Sequence, residues 1–441
     1  MKFFYEKIPE LKKLKDIFEK LEHHKIKLWP SIAPDAYEYF LHMKRGNLLF
    51  KFIRFIKFVF FIEKFKIKGQ GKNKITFSIL IDRTDHHNLF NKIISSFNKK
   101  DVLIIDAYKS GVKNTRSIAR RFWFKFPNLL HIFRIYRYLK SNKFNYIIKD
   151  KLDRMYFVLL TYYMFKKINY WSKIYELIQP KAYLAYAGYR NNDETIFTQI
   201  CKKDKKKTFT TQHYAIFDFK DLNPESITYE NFISDYFLLW GQSSYDVLKK
   251  YIDRKKLLIA GNPLNIEIKK ADKEFIPKIC VVFFDFPLYT QSNYDMIEII
   301  SEFAKKYMDI KFYIKPHPVC NIEDYLDKVK NKRVILLDKY ADKEKWMKKA
   351  DFLIVHNTTI ALESLKYQIP IFRYKDKTYF DMDIPNRSFS NLKELDLLFS
   401  KILNKKNYID DYYKSYYYNF YQPNDMSIPN YYKNAILNKI D

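Results

Sequence analysis

Two short segments in the second half of the chain carry side chains that can bind phosphate. Residues 314–318 contain Lys315 and His317, each followed by a proline, and residues 356–359 contain two adjacent threonines. Both segments come directly after apolar, β-branched runs that predict strands. In open parallel sheets, ligands bind outside the carboxyl ends of the strands. The sequence therefore predicts that both segments line the same crevice.

The threonine pair is suited to an anion because it opens a predicted helix over residues 359–367. One threonine hydroxyl can cap that helix, while free backbone N–H groups and the helix dipole hold a phosphate. Lys315 and His317 add donors, and Glu363, about one turn after Thr359, can accept hydrogen bonds from ribose hydroxyls. The predicted nucleotide-binding residues are Lys315, His317, Pro318, Asn357, Thr358, Thr359 and Glu363.

The scarcity of glycine restricts how this phosphate site is built. The 441 residues include 7 glycines, and the sequence contains neither G-x-G-x-x-G nor G-x-x-x-x-G-K-[ST]. Dinucleotide-binding dehydrogenases and P-loop enzymes, which need those loops, are therefore disfavoured. A phosphate site in this chain must rely on side chains and helix starts.

The hydrophobic pattern predicts an α/β protein in which strands alternate with amphipathic helices. Alternation at this spacing predicts parallel sheets, and hence two doubly wound, Rossmann-like domains. The predicted strands are 75–82, 102–107, 182–187, 208–212, 236–240, 257–260, 278–286, 310–314, 333–337, 351–355 and 370–374.

The domain boundary is predicted near residue 265, where Gly261, Asn262 and Pro263 precede a charged, weakly apolar stretch. This divides the chain into an N-terminal α/β domain, 1–264, and a C-terminal nucleotide-binding domain, 265–405. The tyrosine-rich tail, 406–441, is expected to be helical and to pack back onto the body.

The lysine-proline-histidine-proline segment and the threonine pair with a following glutamate resemble motifs of bacterial GT-B glycosyltransferases that build capsule and lipooligosaccharide. They are similar to the His-Pro and Ser/Thr-pair motifs of bacterial sialyltransferases and capsule transferases that use CMP-sugars. The resemblance covers about residues 278–375. It implies a GT-B fold with a central cleft, and a donor phosphate bound by His317 and the pair Thr358/Thr359, which stabilise the leaving nucleotide without a metal or other cofactor.

An inverting transfer needs a carboxylate or histidine to deprotonate the acceptor hydroxyl. Asp193 or Glu194, in the loop after the 182–187 strand, is the favoured base, and Asp85 or His86 is the alternative.

Two sets of closely spaced polar residues are interpreted as polar loops rather than metal sites, although carboxylates and imidazoles at short spacing suit a divalent ion. They are Asp82/Asp85/His86/His87 and Asp381/Asp383.

Two basic and aromatic segments, 48–65 and 120–140, stand out in the first half. On a helix, Lys51, Arg54 and Lys57 form one basic stripe on an otherwise apolar cylinder. Two interpretations stay open. The helix is either largely buried with its cations reaching to water, or it lies on an anionic membrane surface.

The expected function is transfer of a sugar from a nucleotide-activated donor, with a CMP-sugar slightly favoured, to an oligosaccharide or lipid-linked glycan. Alternatives are a CDP-polyol phosphotransferase and, because the formal charge is +30, a nucleic-acid-binding protein. Nucleic acid is nevertheless not the expected partner.

Three widely spaced cysteines and the absence of a signal-like or membrane-spanning run predict a cytoplasmic protein, with peripheral contact to the inner membrane face left open.

Overall fold

The computed structural model describes most of the chain. The described residues are 8–40, 48–63, 65–80, 84–106, 122–124, 128–186, 191–212, 216, 228–263, 274–285, 290–356, 358, 360–375, 387–405 and 428–440.

The strands within these residues number seventeen. They are β1 Glu22–His23, β2 Ile26–Lys27, β3 Phe61–Glu63, β4 Lys66–Lys68, β5 Ile75–Ile79, β6 Val102–Asp106, β7 Phe122–Phe124, β8 Ala182–Ala185, β9 Lys207–Thr211, β10 Tyr236–Leu239, β11 Leu257–Ile259, β12 Ile279–Phe283, β13 Lys311–Lys315, β14 Val334–Leu336, β15 Phe352–Val355, β16 Ile371–Tyr374 and β17 Ser388–Phe389.

The α-helices of the same residues number fifteen. They are α1 Pro9–Phe18, α2 Trp29–Glu38, α3 Leu48–Phe60, α4 Thr84–Ile94, α5 Leu129–Ser141, α6 Phe144–Ile147, α7 Lys151–Ile178, α8 Asn192–Lys203, α9 Gln242–Leu248, α10 Thr290–Lys306, α11 Glu323–Leu326, α12 Lys343–Lys349, α13 Ile360–Glu363, α14 Leu392–Ser400 and α15 Ile428–Ile440.

Two larger sheets organise the described chain. The N-terminal sheet has the strand order β11-β10-β9-β8-β5-β6-β4, and all its pairings are parallel except the edge pairing of β4 with β6. The C-terminal sheet has the order β14-β13-β12-β15-β16-β17 and is parallel throughout its described pairings. Every predicted strand overlaps an observed one, and the reversal of strand order about β5 and β12 is the doubly wound arrangement that was predicted.

The C-terminal helix α15 lies against the N-terminal part of the molecule. It packs on α4, and Ile428, Tyr432 and Ile436 are buried along one face. The Tyr432 hydroxyl donates a hydrogen bond of 3.0 Å to the carbonyl oxygen of Gly261, which has a φ of +86°. Residues 264–273 and 406–427 lie outside the described residues, so the domain boundary near residue 265 stays a prediction.

A layer of helices covers one side of the N-terminal sheet, with α7 at its centre. This 28-residue helix packs against α3, α5 and α8, and most of its side chains between Tyr156 and Ile168 are buried. The Asp150 side chain caps its start by accepting a hydrogen bond from the N–H of Asp153.

The basic stripe of α3 faces this layer rather than water. Lys51 donates to Asp153 at 2.7 Å, and Arg54 donates to the Tyr156 hydroxyl at 3.1 Å. The apolar side chains of Phe52 and Ile53 are more than half exposed instead. The expectation that the cations reach outward from a buried helix is therefore wrong, because partners on α7 satisfy them inside.

The second basic segment also departs from one continuous helix. Residues 122–124 form β7, which pairs antiparallel with β3, and the helix α5 begins only at Leu129. Asn128 fixes this start, because its side-chain oxygen accepts a hydrogen bond of 3.0 Å from the N–H of His131. Predicted helix 48–65 likewise ends at Phe60, where β3 begins.

The ion pair between Lys51 and Asp153 is expected to hold α3 on α7. Its side chains are 11% and 7% exposed, so Asp153→Ala leaves a nearly buried ammonium unpaired. We expect the free energy of unfolding to fall by about 3 kcal/mol in urea titrations. Glu38→Ala, which removes a half-exposed partner of Arg54, is the control and should cost less than about 1 kcal/mol. Equal losses in the two variants would contradict the assigned role of the buried pair.

Candidate functional site

The three central strands of the C-terminal sheet end at the same level. Phe283 of β12 pairs with Lys315 of β13 on one side and with Val355 of β15 on the other. Parallel strands in this register release their next residues at one edge of the sheet. The ends of β13 and β15, where the 314–318 and 356–359 segments begin, therefore lie at one edge of the sheet, with the end of β12 between them. That the two segments line one crevice stays a prediction.

Lys315 holds the loop that follows β13. It is 4% exposed, and its Nζ donates to the carbonyl oxygens of Pro316 at 2.8 Å and Lys339 at 2.6 Å. Burial is the main cause that lowers its pKa. In this conformation the ammonium positions the loop, and its predicted contact with a phosphate stays a prediction.

His317 is predicted to donate a hydrogen bond to the phosphate, and its side chain remains accessible. Its side chain is half-buried, its Nδ1 lies 3.4 Å from the backbone nitrogen of Val319, and its carbonyl oxygen accepts a hydrogen bond of 2.9 Å from the Cys320 N–H. Pro318 beside it is exposed. This tight turn presents the imidazole at the sheet edge, where a ligand can reach it.

The second predicted segment is described in part. Thr358 is half-buried, and its Oγ1 lies 3.4 Å from the N–H of Ile360 at the start of α13, as expected of a capping hydroxyl. Asn357 and Thr359 lie outside the described residues. Glu363 is bound by Lys343, whose Nζ lies 2.7 and 2.9 Å from its two oxygens, so a ribose hydroxyl would have to compete with an ion pair.

A carboxylate and an imidazole that sequence reasoning missed lie at the same edge. Asp285 follows β12, His356 follows β15, and Asp285 Oδ2 lies 3.3 Å from His356 Nδ1. Both are nearly buried. The signal was available in the sequence, because each is a polar residue at the end of a predicted central strand.

The backbone of Asp285 is braced from α10. Asn293 accepts a hydrogen bond from the Asp285 N–H at 3.1 Å and donates one to its carbonyl oxygen at 3.2 Å. The Asn293 amide also donates to the Tyr325 hydroxyl at 3.1 Å. The backbone of Asp285 is therefore fixed by buried hydrogen bonds.

The two favoured bases of the N-terminal half have different surroundings. Glu194 is fully buried and accepts hydrogen bonds from the Ser78 hydroxyl at 2.8 Å and the Tyr186 N–H at 3.2 Å. It joins α8 to the N-terminal sheet. Asp193 instead lines a cavity, accepting hydrogen bonds from Lys167 Nζ at 2.6 Å and Trp171 Nε1 at 2.8 Å.

That cavity has a volume of about 380 Å³ and lies among α2, α3, α7 and the start of α8. Asp35 lines it and accepts a hydrogen bond of 2.7 Å from the Asn192 side chain, which also lines it. Arg54 lies 3.7 Å from Asp35. Asp193 thus belongs to an accessible polar chamber, whereas Glu194 does not line it.

Most residues considered as alternative bases or as metal ligands lie outside the residues that the structure describes. Asp82 and the segment containing Asp381 and Asp383 lie outside the described residues, as do the side chains of Asp85 and His86. His87 is described, and its Nε2 lies 3.7 Å from Asp106 Oδ1 at the end of β6. Roles for these residues stay predictions.

Comparison with known proteins identifies the fold. No protein-family model and no curated protein sequence matches the chain significantly. S. aureus MnaA, solved with UDP, matches with 10% identity and a TM-score of 0.52, over 83% of this chain and 97% of that chain. A Listeria monocytogenes protein assigned as a UDP-N-acetylglucosamine 2-epimerase matches with 11% identity and a TM-score of 0.51, over 84% and 97%. S. aureus TarM, solved with UDP, reaches a TM-score of 0.45 with 13% identity over 63% and 59%, which is too low to carry an argument.

These similarities confirm the predicted fold class. The chain is an α/β protein of GT-B type, with two doubly wound, Rossmann-like halves on either side of a central cleft. At such low identity they establish the fold and leave the reaction open. The narrower likeness to sialyltransferases and capsule enzymes stays a prediction.

The charge state of Asp35 gives a test of the cavity. Burial, the largest cause, raises its pKa above the ordinary value of 3.8, against the opposing effects of Asn192 and Arg54. Between 3.8 and the raised value the folded protein binds more protons than the unfolded chain, so the free energy of unfolding falls as pH rises. We expect Asp35→Asn to be more stable than the unsubstituted protein at pH 7, with the difference vanishing below 3.8.

The control for this titration is Asp246→Asn. A hydrogen bond from Lys249 is the largest cause that lowers the pKa of Asp246, so this substitution should destabilise the protein slightly at pH 7 and not at low pH. Urea unfolding at several pH values measures both differences. An Asp35→Asn variant that is less stable at pH 7 would show that the carboxylate is favoured in its charged form.

Proposed function

We propose that the chain is a glycosyltransferase that moves a sugar from a nucleotide-activated donor to a glycan acceptor, with inversion and without a metal. The observation that carries the proposal is that His317, Thr358 and the Asp285–His356 pair all follow the carboxyl ends of three adjacent parallel strands. A crevice at the carboxyl edge of a parallel sheet is where nucleotides bind in α/β proteins. The GT-B fold supports this proposal because its cleft brings two substrates together.

The donor half is suited to hold a departing nucleotide. Charge develops on the phosphate as the bond to the sugar breaks, and donors already in place stabilise it without reorganisation. His317 supplies an accessible imidazole, and Thr358 supplies a hydroxyl at a helix start. Lys315 acts as a positioning residue, because its ammonium fixes the loop that presents His317.

Asp193 is the proposed general base of the acceptor half. It lines a cavity, so an acceptor hydroxyl can approach it, and Lys167 and Trp171 hold both carboxylate oxygens in place. In the transfer, Asp193 takes the proton of the acceptor hydroxyl, the oxygen attacks the anomeric carbon, and the nucleotide phosphate leaves with the bonding electrons. Glu194 supports the start of α8 by holding it to the sheet.

Two observations bear on the donor nucleotide. The sequence motifs favour CMP, whereas a structural neighbour was solved with UDP, which supports a uridine nucleotide. A second candidate function is epimerisation of a UDP-sugar, favoured by the neighbour assigned as a UDP-N-acetylglucosamine 2-epimerase. Transfer needs an acceptor and epimerisation does not, so the two functions separate experimentally. A CDP-polyol phosphotransferase would use the same phosphate-binding half.

The donor site is tested by thermal unfolding with UDP, CMP, CDP and GDP, and with single-stranded DNA for the nucleic-acid alternative. A nucleotide that binds only the folded protein raises the melting temperature. We expect one nucleotide to do so, and His317→Ala or Thr358→Val to weaken its binding by about tenfold or more, as for loss of a charge-assisted hydrogen bond. His24→Ala, on an exposed histidine of the N-terminal part, is the control.

Product analysis then separates the reactions. NMR of the matching nucleotide sugar without an acceptor should show no change at C2 of the sugar, and addition of an acceptor glycan should release nucleotide. A C2 epimer formed without an acceptor would establish the epimerase instead. A salt-sensitive shift with DNA, and none with any nucleotide, would overturn the donor site.

We further propose that the acceptor side rests on an anionic membrane through α5. Leu129, Leu130 and Phe133 are 56–72% exposed on its first turns, and Arg134 and Arg137 are exposed on the following turns. Apolar side chains next to cations on one helix face suit insertion among anionic headgroups. Phe52 and Ile53 of α3, which like α5 packs on α7, are exposed as well. No helix of the described chain is long and apolar enough to cross a bilayer.

Co-sedimentation with vesicles tests this contact. We expect binding to vesicles rich in phosphatidylglycerol and little binding to pure phosphatidylcholine. The double variant Leu130→Glu/Phe133→Glu should weaken binding by about tenfold or more, since it removes two inserted apolar side chains and adds negative charge. Leu177→Glu, at a 64% exposed leucine near the end of α7, is the matched control. Unchanged binding in the double variant would place the membrane contact elsewhere.

A further inference from the structure

The cavity beside Asp193 has the size of a small-molecule site. Its volume of about 380 Å³ lies within the range of about 300–1,000 Å³ that is usual for ligand pockets. It is formed by helices outside the two sheets, with α2 and α3 on one side and α7 and the start of α8 on the other. Neither sheet edge described for the donor contributes a residue to its lining, so it is a separate candidate site.

The charges that line the cavity favour an anionic ligand. Arg54, Lys57 and Lys167 supply three cations, and Asp35 and Asp193 supply two carboxylates. Lys167 is balanced by Asp193 at 2.6 Å. Arg54 lies 3.7 Å from Asp35 and 3.3 Å from Glu38, which is outside the lining. The lining side chains carry a formal charge of +1, because three cations stand against two carboxylates.

The polar and aromatic lining favours a ligand with several hydroxyl groups. Carboxylates accept hydrogen bonds, amide groups both donate and accept, and hydroxyls need both kinds of partner. Asp35, Asn192 and Asp193 supply these groups at one wall. Phe58 and Tyr163, stacked on each other with ring centroids 5.1 Å apart, add apolar lining against which the C–H groups of a sugar ring can pack. This combination suits a pyranose better than a lipid tail or a bare inorganic ion.

We infer that this cavity binds an acidic monosaccharide unit of the acceptor, with its carboxylate or phosphate on Arg54 and Lys57 and its hydroxyls on Asp35, Asn192 and Asp193. The assignment of the unit to an acceptor rests on the proposed glycosyltransferase function, because Asp193 is the proposed base. Binding of the sugar itself depends only on the cavity. The two can therefore fail separately.

Titrations of the full-length protein with monosaccharides, followed by saturation-transfer NMR or calorimetry, test the inference. The probes are glucose, glucuronic acid and glucose 6-phosphate. They share one sugar ring, but glucose is neutral, glucuronic acid carries a carboxylate and glucose 6-phosphate carries a phosphate. We expect at least one acidic sugar to bind about tenfold or more tightly than glucose, and Lys57→Met to abolish that preference. Which acidic sugar binds identifies carboxylate or phosphate as the recognised group.

Matched variants separate binding from folding. Lys57 is half-buried on α3, and Lys57→Gln repeats the test if the methionine variant melts early. Asn192→Ala should weaken the acidic sugars and glucose alike, because it removes a partner for hydroxyls and no charge. Lys173→Met, on the exposed side of α7 outside the cavity, should leave all binding unchanged.

The outcomes distinguish this inference from the donor site. Acidic sugars that bind no better than glucose, or a preference that survives in Lys57→Met and Lys57→Gln, would overturn the cavity assignment even if nucleotides bind. Acidic sugars that bind as expected while every nucleotide fails would support the cavity and overturn the donor proposal. Lys57→Met should keep the nucleotide response of the unsubstituted protein.

Discussion

Parallel pairing of β12 with β13 and β15 is the constraint on which the donor site depends. The backbone hydrogen bonds that align Phe283 with Lys315 and Val355 also fix where three loops leave the sheet. Short loops then suffice to bring His317 to the edge that holds Asp285 and His356. Because Lys315 and Asn293 hold two of these loops through buried hydrogen bonds, the geometry needs no glycine-rich turn.

Buried cations set the shape of the N-terminal half in a comparable way. A charge removed from water is costly unless hydrogen bonds and opposite charges replace its hydration. On α7, Lys166 donates to the carbonyl oxygens of Phe58 and Val59, and Lys167 donates to Asp193. These bonds tie α7 to the end of α3 and to the start of α8. The walls of the cavity are therefore held by the requirement to satisfy two lysines.

The C-terminal half was predicted well because its signals are local. Continuous β-branched runs mark buried parallel strands, and each predicted run overlaps an observed strand, so the ends of β13 and β15 could be placed on one edge from the sequence. The helical layer was not predictable in this way. The partners of Lys51 and Arg54 on α7 lie 102 residues away in sequence, and periodicity alone cannot show whether a basic stripe meets water or a carboxylate. The Asp285–His356 pair differs, because each residue lies at the end of a predicted strand, and only the pairing of β12 with β15 across 71 residues was needed to join them.

The placement of the described cations bears on the excess of positive charge. A protein that binds nucleic acid through its charge needs cations in contact with a row of phosphates. Lys51, Arg54 and Lys167 instead lie inside the helical layer, where each meets a carboxylate or a tyrosine hydroxyl, so they do not form an exposed row for a polyanion. The exposed arginines of α5 adjoin leucine and phenylalanine side chains, whose exposure to water a polyanion would not relieve. A surface that offers both apolar and anionic contacts, as a membrane does, satisfies both groups.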